Sequence, residues 1–508
     1  MTSSPWFLGI DLGTGSCKSV VIDDRARILG QGASGYESRA GATPRAEQDP
    51  EALVTAMLHS VRAAIREAGV SPAACQGFSL GGAYHSLMAV DHSGAPLTGV
   101  MTWVDDRATR QAQHVRQAHA TGELYQQTGC PVHSMYPLYK LIWLREEQPH
   151  IFDQAARFIS AKEYVTMRLT GAYLIDYGIA AGTGLLDTHD LRWNAGALAL
   201  AGLTPDRLSP LYSPDTVIRE LNPELAAQMG IPKNSALVLG SADAVNSSLG
   251  AGSVLPGQAT CMIGTSGAFR VITKQPVLDP QARSWCYAID QGHWLVGGAI
   301  NNGGLALSWL RDLVNQAPLK APAAEALSYQ DLVDLAAQVT AGSGGLLCLP
   351  FFAGERSPYW NMNARGVFLG LALHHDLRHV SRAVLEGVAF RLRSLQDVLL
   401  EIGESIDQVR ASGGFTRSWL WPQMLASVLD RPLSVLAWGE TSSLGSAFWA
   451  LLGAGVIARF EDLHPLVPVA QLFQPDPADA RKYKAMYRIY MDLYFQLGEI
   501  FERMAGLN

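Results

Sequence analysis

The sequence predicts an α/β protein built in two halves, and three observations support that prediction. Strand-like and helix-like stretches alternate along the chain. A glycine-rich hairpin opens each half, Gly13-Thr14-Gly15 in the first and Gly264-Thr265-Ser266-Gly267 in the second. The length of 508 residues suits two to four domains at about 150 residues each. We therefore expect one domain over residues 1–250 and another over residues 251–508.

Composition excludes several classes of protein. An apolar fraction of 48% with 17% charged residues excludes a mainly disordered chain. The net charge is −7 and like charges do not cluster, which argues against nucleic-acid binding. The longest apolar stretch, residues 446–458, is too short to cross a bilayer. Six scattered cysteines form no C-x-x-C pair, so we expect no disulfide framework or zinc cluster, and a cytoplasmic location.

Local signals predict several individual elements. Asp49 can cap a helix that begins at Pro50 and ends near Gly69. Strands are expected over residues 76–80 and 86–91. Two later helices are predicted by side chains at 3.6-residue spacing. The first carries Val384, Val388, Leu392, Leu395 and Leu399, and the second carries Tyr483, Tyr487, Tyr490 and Tyr494, which favours packing over base stacking.

The first glycine hairpin is a candidate phosphate site. Its glycines would let backbone N–H groups approach a phosphate, and Asp11 just before them could hold Mg²⁺ through water. Lys18 could add a positive charge. The spacing matches neither a Walker A loop nor Gly-x-Gly-x-x-Gly. A hairpin turn with a surface aspartate explains the same residues.

The second hairpin strengthens that hypothesis, because one such turn in each half suits a nucleotide held between two similar domains. A third glycine cluster, Gly413-Gly414, follows a strand-like stretch and precedes a helix. Glycine there would let a flat ring lie against the backbone. An ordinary strand-to-helix turn is the alternative.

Candidate catalytic and substrate residues lie outside the glycine turns. Asp243 ends an apolar strand and could be a general base for a hydroxyl, or simply a helix N-cap. His85 follows two glycines, a position that a structural histidine could equally occupy. An aromatic ring, two acids and a base lie together in Trp103, Asp105, Asp106 and Arg107. That group suits a polyol pocket, and it equally suits a strand followed by a capped helix.

Longer stretches carry a resemblance to a known family. Residues 10–14, Ile-Asp-Leu-Gly-Thr, resemble the first phosphate motif of the sugar kinase/Hsp70/actin superfamily. Residues 135–147 and 366–386 resemble the two signatures of FGGY carbohydrate kinases, so the resemblance covers nearly the whole chain. Residues 84–91, 101–107, 264–268 and 301–304 are most similar to the gluconokinase branch. Xylulokinases are similar around His85 and Asp106-Arg107.

The resemblance implies two ribonuclease-H-like domains, of the actin/hexokinase/Hsp70 type, that flank a central cleft. The first would bind sugar and the second nucleotide. The implied activity is phosphorylation of D-gluconate to 6-phospho-D-gluconate, with ATP and Mg²⁺ as cofactors. A xylulokinase or another pentulose or polyol kinase is the alternative, and a non-kinase ATPase of the superfamily is a more distant one. The oligomeric state, monomer or homodimer, stays open.

The resemblance also implies a role for each matching position. Asp243 would be the catalytic base, and Asp11 and Asp243 would lie near Mg²⁺. The residues that would hold the phosphates and adenine are Gly13, Thr14, Lys18, Gly264, Thr265, Gly303, Gly304, Gly413, Gly414 and Ser418. The sugar-side residues would be His85, Trp103, Asp106, Arg107 and Lys140. Ser418 departs from the family pattern, because glycerol kinases often carry asparagine near adenine there.

A gluconate substrate adds one further requirement. Its carboxylate needs a cation or several N–H donors in a closed site, because burying an unpaired charge is costly. Arg107, Lys140 and Lys162 are the cations near the motifs, and Arg107 could bind both carboxylate oxygens. Each of the three could instead be a packing or surface charge.

Overall fold

The computed structural model describes residues 4–40, 45–118, 121–316 and 326–507. The chain divides into two compact units, each made of three segments. The first unit comprises Met1–Val254, Ile272–Val296 and Glu440–Val467. The second comprises Leu255–Val271, Gly297–Gly439 and Pro468–Asn508. Nothing in the sequence marks the two later segments of the first unit. None of the described helices has the length and hydropathy needed to cross a membrane.

The strands are numbered in chain order. They are β1 (Trp6–Leu12), β2 (Ser16–Asp23), β3 (Ile28–Gly35), β4 (Ser38–Ala40), β5 (Ala46–Gln48), β6 (Cys75–Gly82), β7 (Met88–Val90), β8 (Val100–Met101), β9 (Arg157–Ile159), β10 (Ile175–Asp176), β11 (Leu211–Tyr212), β12 (Val217–Ile218), β13 (Ala236–Val238), β14 (Gln258–Ile263), β15 (Gly267–Thr273), β16 (Trp285–Asp290), β17 (His293–Ile300), β18 (Leu347–Leu349), β19 (Val367–Leu369), β20 (Gln408–Ser412), β21 (Leu433–Leu436) and β22 (Val469–Phe473).

The helices are numbered in the same way. They are α1 (Pro50–Ala68), α2 (Thr109–Ala118), α3 (Thr121–Thr128), α4 (Pro137–Glu147), α5 (Pro149–Gln154), α6 (Ala161–Thr170), α7 (Tyr177–Ala181), α8 (Ala195–Ala201), α9 (Pro223–Met229), α10 (Asp243–Gly250), α11 (Gly304–Gln316), α12 (Tyr329–Ala337), α13 (Leu377–Glu401), α14 (Leu420–Leu429), α15 (Thr441–Gly453), α16 (Pro477–Gln496) and α17 (Gly498–Ala505).

The first unit contains a six-stranded sheet with the order β12-β13-β6-β1-β2-β3. β1 pairs antiparallel with β2 and parallel with β6, and β6 pairs parallel with β13. All seven residues of β1 are buried, as expected for a strand covered on both faces of its sheet. Helix α1 packs against β2 and β3, whereas α15 packs against β1 and β6.

The second unit repeats this pattern of strand pairing. Its strands follow the order β15-β14-β20-β21-β22. β14 pairs antiparallel with β15 and parallel with β20, which pairs parallel with β21; β21 then pairs antiparallel with β22. In the first unit, β2-β1-β6-β13-β12 has the same sequence of pairings. The two glycine hairpins therefore occupy equivalent places in two similar sheets.

The elements predicted from local signals are confirmed. Asp49 caps α1 by accepting a hydrogen bond from the Glu51 amide at 2.9 Å, and Gly69 ends the helix in the left-handed conformation at φ 61°. The predicted strand at 76–80 lies within β6, and β7 lies within residues 86–91. The apolar positions from 384 to 399 are buried on α13, and the four tyrosines are buried on α16. Phe390 packs against three of those rings at 5.3–5.9 Å.

Helices α10 and α15 of the first unit approach each other closely enough that only glycine fits at their contact. A Cβ atom on Gly445 would lie 1.8 Å from the carbonyl oxygen of Asn246. A Cβ atom on Gly250 would lie 1.8 Å from the carbonyl oxygen of Thr441. Because Asp243 begins α10, this contact fixes the helix that presents Asp243.

We predict that Gly445→Ala lowers the free energy of unfolding by about 3 kcal/mol or more, because the new methyl group must displace backbone atoms. Thermal denaturation followed by circular dichroism measures the effect. Gly122→Ala is the matched control, since Gly122 also lies in a helix of this unit and its Cβ would meet nothing within 4 Å. Equal melting temperatures for the two variants would contradict the prediction.

Candidate active site

Asp11 is a buried carboxylate at the end of β1. It lies beside Gly81 of β6, and its Oδ1 atom has no hydrogen-bond partner among the described residues. A Cβ atom on Gly81 would lie 3.5 Å from that oxygen. Burial and the negative charge of Asp243 raise the pKa of Asp11 to about 7, and the Ser442 hydroxyl and Lys18 partly oppose them. One oxygen of this buried carboxylate therefore lacks a hydrogen-bond donor from the part of the chain that the structure describes.

Asp243 is the first residue of α10, so it lies one position inside the helix. The N-cap position belongs to Ala242. The half-buried Asp243 side chain accepts a hydrogen bond at Oδ1 from the Ala244 amide at 2.7 Å. The positive end of the helix stabilises a negative charge there. The structure thus brings together Asp11 and Asp243, the two carboxylates selected from the sequence.

A buried ion pair holds the loop that leads into Asp243. The Lys162 ammonium group lies 2.5 Å from Asp176 Oδ2 and donates a second hydrogen bond to the carbonyl of Gly240 at 2.7 Å. Both charged side chains are almost fully buried. Gly240 has a φ of +69°, which favours glycine. Lys162, a candidate carboxylate ligand from sequence, is therefore engaged in supporting this loop.

The first hairpin turn contacts the expected sugar-side residues. The Gly13 amide closes the turn by donating to Ser16 O at 3.1 Å, and Thr14 Oγ1 accepts a hydrogen bond from Trp103 Nε1 at 3.0 Å. Lys18 lies further along the hairpin and pairs with Glu440 at 2.7 Å, with both side chains partly exposed. Thr14, a predicted phosphate ligand, and Trp103, a predicted sugar ligand, are therefore in contact.

His85 lies in an aromatic cluster. Its φ of +65° is uncommon outside glycine, and its Nδ1 atom is 2.6 Å from the carbonyl of Gly182. The imidazole stacks on Tyr84 at 5.3 Å and meets the edge of Tyr136 at 4.9 Å. Tyr287 lies 5.9 Å from His85, and its hydroxyl is 2.8 Å from that of Tyr136. Tyr287 was missed from sequence, because it comes from the unmarked segment Ile272–Val296.

Arg107 is held by two carboxylates. Its Nε and Nη2 atoms donate to the two oxygens of Asp105 at 2.8 and 2.7 Å, and Nη2 also donates to Glu47 at 2.6 Å. The guanidinium lies over the Trp143 ring at 5.0 Å. The neighbouring Asp106 accepts a hydrogen bond from the Ser134 hydroxyl at 2.9 Å. Asp105 belongs to the group noted in the sequence, whereas Glu47 was not identified from sequence.

Lys140 is a buried lysine that contacts the backbone beside two predicted sugar-binding residues. It is fully buried on α4, and its ammonium group donates to the carbonyls of His85 at 2.8 Å and Thr102 at 2.6 Å. Burial lowers the pKa of Lys140 to about 7, although nearby Asp105 partly opposes that shift. Its two acceptors lie at His85 and directly before Trp103. Lys140 therefore positions two predicted substrate residues through their backbone.

In the second unit, several predicted nucleotide residues line one cavity of about 420 Å³. That volume falls within the usual range of about 300–1,000 Å³ for small-molecule sites. The predicted residues on its wall are Gly264, Thr265, Gly304, Gly414 and Ser418. Further lining residues that sequence reasoning missed are Leu307, Ser308, Tyr329, Phe415, Arg417 and Trp421. A larger open groove of about 1030 Å³ in the first unit contains none of the predicted site residues.

Close backbone contacts shape the glycine-rich wall of this cavity. The Gly304 amide donates to Gly264 O at 2.7 Å, and the Gly303 amide donates to Thr265 O at 3.1 Å. A Cβ atom on Gly303 would lie 2.4 Å from Ser266 O. Gly413 has a φ of +110°, and its Cβ would lie 2.4 Å from Ile263 O. These glycines are therefore required by the packing itself.

Elsewhere on the cavity wall, the Ser418 side chain contacts the first turn of α14. Its hydroxyl accepts a hydrogen bond from the Trp421 amide at 3.1 Å, next to the start of α14. The Trp421 ring meets Phe415 edge-on at 5.9 Å. Tyr329 and Ser308 share a hydroxyl–hydroxyl hydrogen bond of 2.7 Å. This part of the wall offers aromatic and hydroxyl groups.

Comparison with known proteins identifies the family. The N-terminal domain of the FGGY family of carbohydrate kinases matches residues 6–250, and its C-terminal domain matches residues 259–454. The chain belongs to the FGGY family of carbohydrate kinases. It is therefore a phosphotransferase with a two-domain kinase fold, and the alternative of a non-kinase ATPase is excluded.

The similarity to individual relatives extends over nearly the whole chain. It is 34% identical to a gluconokinase of Bacillus subtilis over 97% of this chain and 96% of the relative. It is 26% identical to a xylulose kinase of the same species over 96% of both. The structure of a gluconate kinase from Lactobacillus acidophilus superimposes with a TM-score of 0.92 at 29% identity, covering 98% of this chain and 99% of that one.

The buried Lys140 predicts a pH dependence of stability. Burial lowers its pKa from 10.5 to about 7. Between these values the unfolded chain binds the proton that the folded protein lacks, so wild-type stability rises with pH, by at most about 1.4 kcal/mol per unit. Lys140→Met lacks this rise. We expect its melting temperature to fall further below that of wild type, by a few degrees, between pH 7 and 9.

Lys233→Met is the control for that measurement, because Lys233 is exposed on the same unit. Its melting temperature should follow wild type at every pH. Parallel pH profiles for wild type and Lys140→Met would show that burial does not shift the Lys140 pKa.

Proposed function

We propose that this kinase transfers the γ-phosphoryl group of ATP to the terminal hydroxyl of D-gluconate, which yields 6-phospho-D-gluconate. The observation that carries the proposal is the full-length similarity to a gluconokinase, which exceeds that to a xylulose kinase. Residues 84–91 and 101–107, which resemble the gluconokinase branch of the family, contain His85, Trp103 and Arg107.

Asp243 is the proposed general base. It takes the proton of the substrate hydroxyl while that oxygen attacks the γ-phosphorus. The new O–P bond forms as the bond to the β,γ-bridging oxygen breaks, and ADP leaves. The position of Asp243 at the start of α10, held by the Lys162–Asp176 pair and the glycine contact with α15, suits a base that must stay in place.

The same two carboxylates fit a Mg²⁺ ion that accompanies ATP. Asp11 presents a buried oxygen that no described residue donates to, and Asp243 lies close enough to raise the pKa of Asp11. Within the described ranges, no cluster of three metal-ligating side chains exists. Mg²⁺ is commonly bound by one or two carboxylates together with phosphates and water, so this donor set is sufficient. When bound, the ion would neutralise charge on the phosphates.

The cavity of the second unit is the proposed ATP site. Gly264 and Thr265 would lie beside the phosphates, and so would Gly303 and Gly304, where α11 begins. Gly414 and Phe415 would lie near adenine. Gly13, Thr14 and Lys18 of the first unit are further residues proposed to bind phosphate.

His85, Trp103 and Asp106 are the proposed ligands of the sugar hydroxyls. Arg107 is the strongest candidate for the gluconate carboxylate, since its hydrogen bonds to Asp105 and Glu47 use only Nε and Nη2. Lys140 and Lys162 are engaged by protein groups. The enzyme would work in the cytoplasm, which suits its six free cysteines.

A pentulose kinase is the second candidate function. The charge of Arg107 is already compensated by two carboxylates, and this arrangement favours a neutral substrate over an anionic one. The two functions therefore differ in a property that kinetics can measure.

Asp243→Asn should lower kcat about 10²- to 10⁴-fold, because the variant keeps the size of the side chain and removes the base. Calorimetric titration without Mg²⁺ should show unchanged ADP binding, since the proposed phosphate ligands lie elsewhere. Asp215→Asn, a change at an exposed aspartate of the same unit, serves as the control. Turnover near the wild-type rate in Asp243→Asn would refute the assignment of the base.

The acceptor is tested by coupled ADP-release assays on D-gluconate, D-xylulose, L-ribulose and glycerol. We expect kcat/KM to be highest for D-gluconate, by at least about tenfold, the scale of one additional charged contact. A higher value for any neutral acceptor would overturn the gluconate assignment and favour the pentulose or polyol alternative.

A further inference from the structure

We propose that Glu355 is a positioning residue for the nucleotide phosphates, although it is not one of the residues that line the cavity. The proposal rests on the proposed function in one respect, because it takes this cavity to be the nucleotide site. Glu355 lies in the segment 353–357, Ala-Gly-Glu-Arg-Ser, here named the strap. The strap holds residues 301–305, here named the phosphate turn.

Asparagine side chains clasp the turn to the strap. Asn302 is fully buried, and its amide group donates to Gly354 O at 2.7 Å and accepts from the Ala353 amide at 3.0 Å. Asn301 Nδ2 donates to Ala353 O at 3.0 Å. Three hydrogen bonds therefore fix the first two residues of the turn to the first two residues of the strap.

The carboxylate of Glu355 anchors the backbone of the turn. Its Oε1 atom accepts hydrogen bonds from the Asn301 amide at 3.1 Å and the Arg356 amide at 2.8 Å. Its Oε2 atom accepts from Arg391 Nε at 3.1 Å, and both charged side chains are fully buried. Arg391 also donates to Ser357 O at 2.8 Å. The long helix α13, through Arg391, thus holds the middle and the last residue of the strap.

Backbone hydrogen bonds join the phosphate turn to the second glycine hairpin, at Gly264 and Thr265. The amides of Gly303 and Leu305 donate to Thr265 O at 3.1 and 3.0 Å, and the Gly304 amide donates to Gly264 O at 2.7 Å. The clash that a Cβ on Gly303 would make leaves little room for the turn to shift. A displacement at Asn301 is therefore passed on to Gly264 and Thr265, which line the cavity.

A second buried ion pair on the same helix provides a matched control. Arg382 and Glu386 pair at 2.9 Å, and Glu386 also accepts from the Gly342 amide and the Ser343 hydroxyl, each at 2.8 Å. Like Glu355, this carboxylate is buried, pairs with an arginine of α13 and accepts from a backbone amide; unlike Glu355, it also accepts from the Ser343 and Tyr483 hydroxyls. None of its partners belongs to the phosphate turn or to the cavity wall. Loss of general stability and loss of positioning can therefore be told apart.

The experiment compares Glu355→Gln with Glu386→Gln in the full-length enzyme. Calorimetry measures the Kd for ADP, steady-state kinetics measures the KM for ATP and for D-gluconate, and thermal denaturation measures stability. We expect Glu355→Gln to raise the Kd for ADP and the KM for ATP about tenfold, since a charge-assisted hydrogen bond to the turn is weakened. The KM for the acceptor should stay within about twofold, the usual spread of such measurements. Glu386→Gln should lower the melting temperature without changing either nucleotide constant.

Asn302→Ala is the second variant, because it opens the clasp without disturbing the buried ion pair, and it should weaken ADP binding in the same direction. Wild-type affinity for ADP in both Glu355→Gln and Asn302→Ala would overturn the positioning role. An equal loss of affinity in Glu386→Gln would also overturn it. If the wild-type protein bound no ADP, both this role and the proposed function would fall, whereas tight wild-type binding that no variant changes removes this role alone.

Discussion

The first unit depends on the burial of the Asp11 carboxylate at the end of its central strand. Burying a carboxylate next to a second carboxylate is unfavourable unless a cation or a hydrogen-bond donor binds it. In this unit the strand that carries Asp11 is completely buried, and the helix that carries Asp243 is packed backbone to backbone against its neighbour. The two carboxylates cannot move apart to relieve their repulsion. A buried carboxylate whose pKa is raised in this way, as that of Asp11 is, is typical of a functional site.

Two buried lysines of the first unit bind backbone carbonyl groups. Lys162 holds the loop before Asp243, and Lys140 holds the carbonyls at His85 and Thr102. A buried ammonium group is costly without acceptors, so each of these lysines is fixed in one arrangement. The candidate substrate residues are thereby attached to a rigid frame. The same principle operates in the second unit, where Glu355 and Arg391 hold the phosphate turn.

The two units share a pattern of strand pairing but use it differently. In each, a hairpin is followed by two parallel strands and a final antiparallel strand. The first unit adds acids at the end of its central strand and at the start of a helix. The second adds glycines that shape the wall of a cavity of about 420 Å³. A repeated frame therefore carries two distinct sets of chemical groups.

The sequence by itself determined the α/β class, the two hairpins, the capped helix α1, the apolar faces of α13 and α16, and the family, because these signals are local in the chain. It also selected Asp11, Asp243 and the glycines of the cavity. Only the tertiary structure decided which cations are already paired, where Tyr287 lies, and that Glu355 holds Asn301. Those partners are separated by tens to hundreds of residues, as Lys162 is from Gly240 and Asn301 from Glu355. The spacing of residues along the sequence does not predict such contacts, because they form only when buried polar groups pair in the folded core.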